Sequence, residues 1–332
     1  MTAQPVTTQT TQPPQTAHPT GESAVPFEHL PGSPGDSSPN PTRSPVTAFE
    51  LRPRFRPRLR PRAWRRTPTT VWVAAAIAAL LVVAAVAPAL VATADPRAID
   101  LASPLAPPSW EHWFGTDQSG RDLYSRIVHG TASSLLIGLG ATGVGVGLAV
   151  VFGCWAALGG RWADAVIGRA IEVLFAFPIL LLAMVFIAVY GPSVQTLIFA
   201  VGLGIAPGYA RMVRAQVMQV RGSGYVQAAR ALGHHPARIL TQHVLPNALR
   251  PLIVVLTLGI GQSIVWASGL AFLGFGVAPP SPEWGALLEA GRPYITEAWW
   301  LEIIPGLAVL ATALTATVLG RHLETTLEGD RR

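Results

Sequence analysis

Lysine is absent from the 332 residues, so all 24 basic side chains are Arg. Without Lys there is no Walker A motif whose ammonium grips the β- and γ-phosphates, no kinase-type strand Lys and no Schiff base. This argues against ATP hydrolysis by the usual routes. Cysteine occurs once, as Cys154 inside an apolar run, which excludes an intramolecular disulfide, a Cys-rich zinc site and a Cys-ligated cluster while leaving the redox compartment open. Charge is also scarce: 13% of residues are charged and 50% hydrophobic, where soluble globular proteins carry about 25% charged. With mean hydropathy +0.40, the deficit points to a membrane. The 18 acidic residues leave a formal charge of +6 and a pI near 10.4.

Residues 1–69 hold 14 of the 30 Pro among Thr, Ser and Gln, with little that could pack, and read as a disordered tail. Its last third is a ladder of Arg52, Arg54, Arg56, Arg58, Arg60, Arg62, Arg65 and Arg66, interleaved with Pro53, Pro57, Pro61 and with Phe55, Leu59 and Trp64. Such a run suits nucleic acid. Its position immediately before an apolar span favours an orientation signal lying against anionic cytoplasmic lipids, so membrane lipid is expected as a partner and nucleic acid is not.

From Val71 the chain runs 24 residues without a charge, where about 20 cross a hydrocarbon core. This predicts a transmembrane helix kinked near Pro88. Ala92-Thr93-Ala94 imitates a signal-peptidase site, but the apolar run exceeds the roughly 7 to 15 residues of a signal-peptide core and its preceding tail is far too long, which favours an uncleaved anchor. Further apolar runs occupy about 131–158, 170–190, 193–210, 251–276 and 302–320. Their many Gly and Ala, as in Gly143-Val144-Gly145-Val146-Gly147, let helix backbones approach closely. The expectation is an all-α, polytopic bundle of six transmembrane helices.

Placing the N-terminus inside puts 20 of the 24 Arg on the cytoplasmic side, including Arg161 and Arg169 in a 159–169 turn, and leaves Arg97, Arg121, Arg126 and Arg292 outside. The positive-inside rule selects this orientation, with both termini cytoplasmic, and Trp284, Trp299 and Trp300 fit an outer aromatic belt. The spans are almost bare of ionisable groups: Arg169, Glu172 and Glu302 lie at span ends, and Arg169 with Glu172 at i, i+3 reads as a helix-end ion pair. A proton-coupled carrier needs charge at mid-membrane, so it is disfavoured, as is a channel with a charged ring. A carbonyl-lined channel stays open.

The longest segment assigned to the cytoplasmic side between spans is 211–250. Ser223 can cap a short helix Tyr225–Leu232, Gly233 suits the left-handed position that ends it, and Pro236 can open a second helix stopping before Pro246. That outline exposes Tyr225, Val226, Ala229 and Leu232 along one side. An amphipathic connector on the membrane surface is the plainer alternative, and so short a first helix fixed between two spans does not suit a DNA groove. Asp117, Arg121 and Asp122 on the outer side read as a local pair, a contact for a substrate-delivering protein or an ordinary solvated turn. His234 and His235 are adjacent, point in different directions, and make poor metal ligands. No span carries a nucleophile with a base or a set of metal ligands, which argues against an intramembrane enzyme.

The 211–250 segment resembles the EAA loop of binding-protein-dependent ABC transporter permeases: Glu-Ala-Ala, three residues, Gly, nine residues, Ile, any residue, Leu-Pro. Ala228, Ala229, Gly233, Leu245 and Pro246 match at that spacing, with Gln227 in place of the Glu and His243 in place of the Ile. Phe114 to Asp122 (FGTDQSGRD) and Gly274 to Gly285 (GFGVAPPSPEWG) look like segments of the C-type subunit in the dipeptide/oligopeptide/nickel subfamily. The resemblance covers about 70–325 and leaves the tail outside it.

It implies a type I importer permease fold: a tail over 1–69, a first helix and extracytoplasmic segment over 70–130, a five-helix core over 131–321 and a cytoplasmic C-terminus over 322–332. It implies a bacterial plasma membrane permease subunit of an ABC importer, not itself an enzyme, moving peptides or, as an alternative, nickel chelates or other small solutes. The implied partners are a second permease, two ATP-binding subunits that hold the ATP and Mg, and an extracytoplasmic solute-binding protein; this chain is expected to bind no cofactor or metal. Tyr225, Gln227, Ala228, Ala229, Gly233, Leu245 and Pro246 would form the ATPase-coupling interface. Gln227 keeps a hydrogen bond there but loses the charge assistance of Glu.

Overall fold

The computed structural model describes residues 68–329, with side chains to 326. The tail expected over 1–69, its Arg ladder and the last residues of the C-terminus therefore lie outside the described residues, apart from Pro68 and Thr69. Among the described residues the chain is helical, with one isolated antiparallel bridge between Thr116 and Asp122.

The first helix, α1, is Thr69–Val86. It was expected to run to residue 94 with a kink, but it ends before Pro88, because the proline ring drives the preceding residue out of the helical region: Ala87 sits at φ −135°, ψ 61°. A single 3₁₀ turn, Pro88–Leu90, follows. The long helix α2 is Leu123–Leu158, beginning eight residues ahead of the expected 131, since Asp122 caps it by accepting a hydrogen bond from the Ser125 amide.

The expected turn at 159–169 shrinks to the Gly159-Gly160 pair, and α3 occupies Gly160–Ala176. At Phe177-Pro178 the third span breaks: Phe177 is extended at φ −78°, ψ 135°, and α4, Ile179–Tyr190, leaves at 92° to α3. The same proline effect that ends α1 operates here in the middle of a span. Arg169 and Glu172 do pair, at 3.2 Å, within α3 and not at its end. The next helix, α5, is Val194–Arg221, extending eleven residues past the end of the expected 193–210 run.

After a short helix α6, Gly224–Ala231, one helical rod runs from Pro236 to Phe275. It contains α7, Pro236–Ile239, a π segment Leu240–Val244, α8, Leu245–Leu249, α9, Pro251–Leu270, and a second π segment Ala271–Phe275. The helix expected to stop before Pro246 does not stop. Proline lacks an amide and clashes with the carbonyl four residues back, and the wider π turn just before Pro246 removes that conflict. The last two helices are α10, Trp284–Gly291, and α11, Trp300–Gly329. Among the described residues five helical stretches are long and apolar enough to cross a membrane, and the bent α3–α4 pair meets the same measure when its two helices are taken together.

Helices α2 and α5 form the centre of the bundle, with α9 packed beside α2, α11 on α9, and α1 on the outside against α11 and α2. The α2–α5 contact depends on glycine. A Cβ at Gly145 would lie 2.6 Å from Ile205, and one at Gly202 2.8 Å from Val144, so the backbones meet closely where lipid supplies no hydrophobic force between helices. Between α2 and α9, Thr142 and Ser263 hydroxyls hydrogen-bond at 2.9 Å.

Candidate functional site

Residues 211–250 start on the last turns of α5 and leave the bundle only between Gly222 and Pro236. Helix α6 lies across that end. Val226 and Ala229, expected on the exposed side, are instead buried, joining Val213, Val217, Ile239, Val244 and Ala248 in one apolar cluster. Tyr225 and Leu232 are exposed, at 49% and 76%, as are Gln227, Ala228 and Gly233. An eight-residue amphipathic helix thus presents two faces: Val226 and Ala229 hold it to α5, α7 and α8, and the other side is free.

The ends of α6 are set by local chemistry. Ser223 occupies the N-cap position, but its hydroxyl donates to the Val220 carbonyl at 2.6 Å and makes no capping bond. Gln227 Nε2 donates to the Gly222 carbonyl at 3.1 Å, folding that side chain back over the turn. At the C-terminus, Gly233 at φ +75° donates to Arg230 at 3.0 Å, and His234 donates to Ala229 at 3.2 Å. These two bonds make a Schellman motif, with Gly in the left-handed position that L side chains resist.

Leu245 is half-buried and Pro246 exposed, both on the rod and no longer at a helix end. The two adjacent histidines separate: His235 Nδ1 accepts from the Ala237 amide at 3.3 Å, capping α7, while the His234 ring stacks toward His243 at 6.5 Å between centroids. Among the described residues no group of three or more His, Cys, Asp or Glu is placed to hold a metal.

The Phe114 to Asp122 stretch is not a solvated turn. Thr116, Asp117 and Asp122 are buried at 0%, 2% and 5% exposure. Asp117 accepts from the amides of Ser119 at 2.7 Å and Arg121 at 3.0 Å. It also pairs with Arg126, while Arg121 stands 3.9 Å away. Thr116 donates to the Ser103 carbonyl at 2.6 Å and accepts from Ala106 at 2.8 Å, while its own carbonyl accepts from Trp300 Nε1 at 3.2 Å. The motif is a fastener that ties the 87–122 segment to α2 and α11.

A second fastener grips the start of α10. Glu283, 2% exposed, accepts from the amides of Gly285 at 2.8 Å and Ala286 at 2.9 Å and from the Ser134 hydroxyl at 3.3 Å. Burial pushes its carboxyl above the ordinary range, opposed by those three hydrogen bonds. Trp284 Nε1 donates to the Ile127 carbonyl at 3.0 Å. The Gly274 to Gly285 motif therefore docks on α2.

Comparison with known proteins bears on the whole rod-and-bundle unit. Residues 149–329 match the family described as binding-protein-dependent transport system inner membrane component. The chain belongs to this family. The inner-membrane component is 39% identical over 275 residues to the Escherichia coli protein named "Probable D,D-dipeptide transport system permease protein DdpC", covering 83% of this chain and 92% of that one. It is 39% identical over 230 residues to the di/tripeptide transport system permease protein DppC of Pseudomonas aeruginosa, covering 68% and 76%. The crystal structure of an amino acid ABC transporter with histidines superposes with TM-score 0.51 at 17% identity, covering 60% of this chain and 94% of that one, a likeness of fold. The chain is a multi-pass membrane transport component with the type I importer permease fold, and α6 with its Schellman turn lies inside the matched region.

Proposed function

We propose that this chain is the permease subunit of an ABC importer for short peptides, forming the translocation pathway and drawing its energy from separate subunits. The exposed face of α6 carries this reading. Tyr225, Gln227, Ala228 and Gly233 are exposed, Tyr225 meeting the rod edge-on at the His243 ring, 6.5 Å between centroids, while Val226 and Ala229 lock the same helix to the ends of two long helices. A push on α6 is therefore transmitted at once to α5 and to the Pro236–Phe275 rod. Ala229 acts from beneath, as a small residue that lets α6 lie close to the bundle. Leu245 and Pro246 set where the rod departs.

In this reading α6 sits in a groove of an ATP-binding subunit at the cytoplasmic face, and both chain termini are cytoplasmic. Two such subunits hold the ATP and Mg; this chain has no Lys for a phosphate loop and is not an ATPase. A second permease completes the pathway, and an extracytoplasmic solute-binding protein delivers solute on the side of the Asp117 fastener. ATP binding closes the ATPase pair and opens the bundle outward; hydrolysis resets it. The relatives named for D,D-dipeptides and for di- and tripeptides support peptides as the solute.

The test is to tag the C-terminus, extract the chain in mild detergent, identify what co-purifies by mass spectrometry, and assay the assembly in vesicles for ATP-dependent uptake of dialanine. Recovery of two P-loop ATPases and a second permease, with uptake, is expected. A chain recovered alone, or flux without ATP, would overturn the reading in favour of a channel.

A further inference from the structure

The break in the third span leaves a cavity of about 480 Å³ against α5 and α9, within the size range of small-molecule sites, roughly 300 to 1,000 Å³. Phe175, Phe177, Gly204, Gly208, Tyr209 and Gln262 shape it. Its α5 lining, Gly204 to Tyr209, lies about 15 to 22 Å from Val194 at 1.5 Å per residue, in the half of the span nearer residues 211–250.

Its chemistry is selective. No Asp, Glu, His or Cys lines it, so it supplies no carboxylate, imidazole or thiolate to ligate a bare metal ion. The polar groups are neutral: Tyr209 donates to Gln262 Oε1 at 3.2 Å. That bond leaves the two Gln262 N–H donors and the Tyr209 oxygen unused among the described residues. Together they present donors and an acceptor, the complement of one peptide unit. Gln262 is exposed near the middle of α9, a depth at which a polar side chain has no reason to face lipid.

One turn beyond Gly208 on α5 stands Arg211. It lies over the Phe175 ring at 4.2 Å and is in no ion pair among the described residues, whereas its neighbour Arg214 is held by Asp164 at 2.6 Å. Phe175 is thus flanked by Gly208, whose added Cβ would lie 3.3 Å from the ring, and by a guanidinium with open hydrogen-bonding capacity. A cationic fork at the rim of an apolar, amide-bearing cavity matches a carboxylate.

Resting on the peptide reading above, we propose that this cavity is a subsite of the translocation pathway that takes one side chain and the adjoining amide of a short peptide, with Arg211 receiving the peptide's carboxylate. Gly208 sets how large a side chain enters. Part of the selectivity therefore belongs to this chain and not to the solute-binding protein alone.

The test uses the complete transporter with its binding protein in vesicles. Gly208→Leu should cut uptake of Ala-Trp roughly tenfold more than uptake of Ala-Ala, the scale set by filling an apolar pocket, with peptide affinity of the unaltered binding protein unchanged. A dipeptide carrying benzoylphenylalanine, photolysed in the wild-type transporter, should label the Phe175–Ile179 break or α5 near Tyr209. Excess dialanine should suppress that label, Arg211→Gln should weaken it, and Arg211→Lys, which keeps the charge but loses the fork, should weaken it less. If Gly208→Leu does not insert, the labelling decides alone. Label elsewhere, or label that dialanine does not displace, as for a cavity filled by lipid or by the second permease, would overturn the subsite and leave peptide transport standing. A wild-type transporter that takes up no peptide would overturn both.

Discussion

Asp117 and Arg126 form an ion pair with side chains only 3% and 4% exposed, so each charge depends on the other for its place. Arg126 also reaches the Ser281 carbonyl at 3.4 Å, while its Nε is buried without a partner. A buried pair adds little over a well-packed apolar pair, but removing one member strands the other. Asp117→Ala should therefore destabilise the chain by about 3 to 5 kcal/mol, and Asp117→Ala with Arg126→Met should recover part of that loss. Thermal aggregation of the detergent-extracted protein is the measurement, and a double variant no better than the single one would count against the charge argument.

Glu283 makes stability depend on pH in a fixed direction. Its carboxyl is raised above the 4.5 of an ordinary Glu, first by burial, against the hydrogen bonds from Gly285, Ala286 and Ser134. A raised carboxyl binds a proton more readily folded than unfolded, so its contribution is full below the unfolded value and is lost as pH rises through the folded one. Wild type should lose stability relative to Glu283→Gln as pH rises above the 4.5 of an ordinary Glu, read as the difference in unfolding temperature of the two proteins at each pH. A difference that is flat, or that runs the other way, would contradict the assignment.

Gly130 is a packing requirement. A Cβ there would lie 2.0 Å from the Pro282 carbonyl and 3.2 Å from the Trp284 ring, and backbone cannot yield as a flexible side chain can. Gly130→Ala should undock the Gly274 to Gly285 segment from α2, with a loss of several kcal/mol, larger than the about 1 to 3 typical of overpacking. Monodispersity on size exclusion is the check. Gly143→Ala, where nothing lies within 4 Å of the added carbon, should behave as wild type.

What could be read in the sequence was whatever a single residue type decides. Gly233 was legible because little else tolerates φ +75°, and the uncharged run from Val71 was legible as a span because lipid admits no alternative. The proline positions were not. Pro88 and Pro178 break helices, whereas Pro207 and Pro305 lie inside α5 and α11 and Pro246 is absorbed by a π turn; the outcome depends on which neighbours take up the freed carbonyls, and those are tertiary. Which side of α6 faces the bundle was equally hidden, since Val226 and Ala229 differ little in character from Ala228 and Leu232. The Asp117 partner was missed because Arg126 lies beyond the start of α2, though an Arg entering an apolar helix was the available signal.

Gly233 offers the sharpest separation of fold from coupling. An added Cβ there meets nothing within 4 Å, so a side chain costs only the left-handed backbone, about 1 to 2 kcal/mol for an ordinary residue and less for Asn. That strain falls on the two hydrogen bonds that close α6, from Gly233 to Arg230 and from His234 to Ala229, and not on the apolar cluster beneath. Uptake should therefore rank wild type, Asn, Ala, then Val, with membrane insertion unchanged. The ATPase rate of the assembled transporter should fall less than uptake, so that more ATP is consumed per peptide moved. Val is the decisive variant because its branched Cβ resists the conformation most strongly. If an inserted Gly233→Val chain takes up peptide at the wild-type rate with unchanged ATP consumption, the turn is a structural convenience and coupling through α6 does not depend on it.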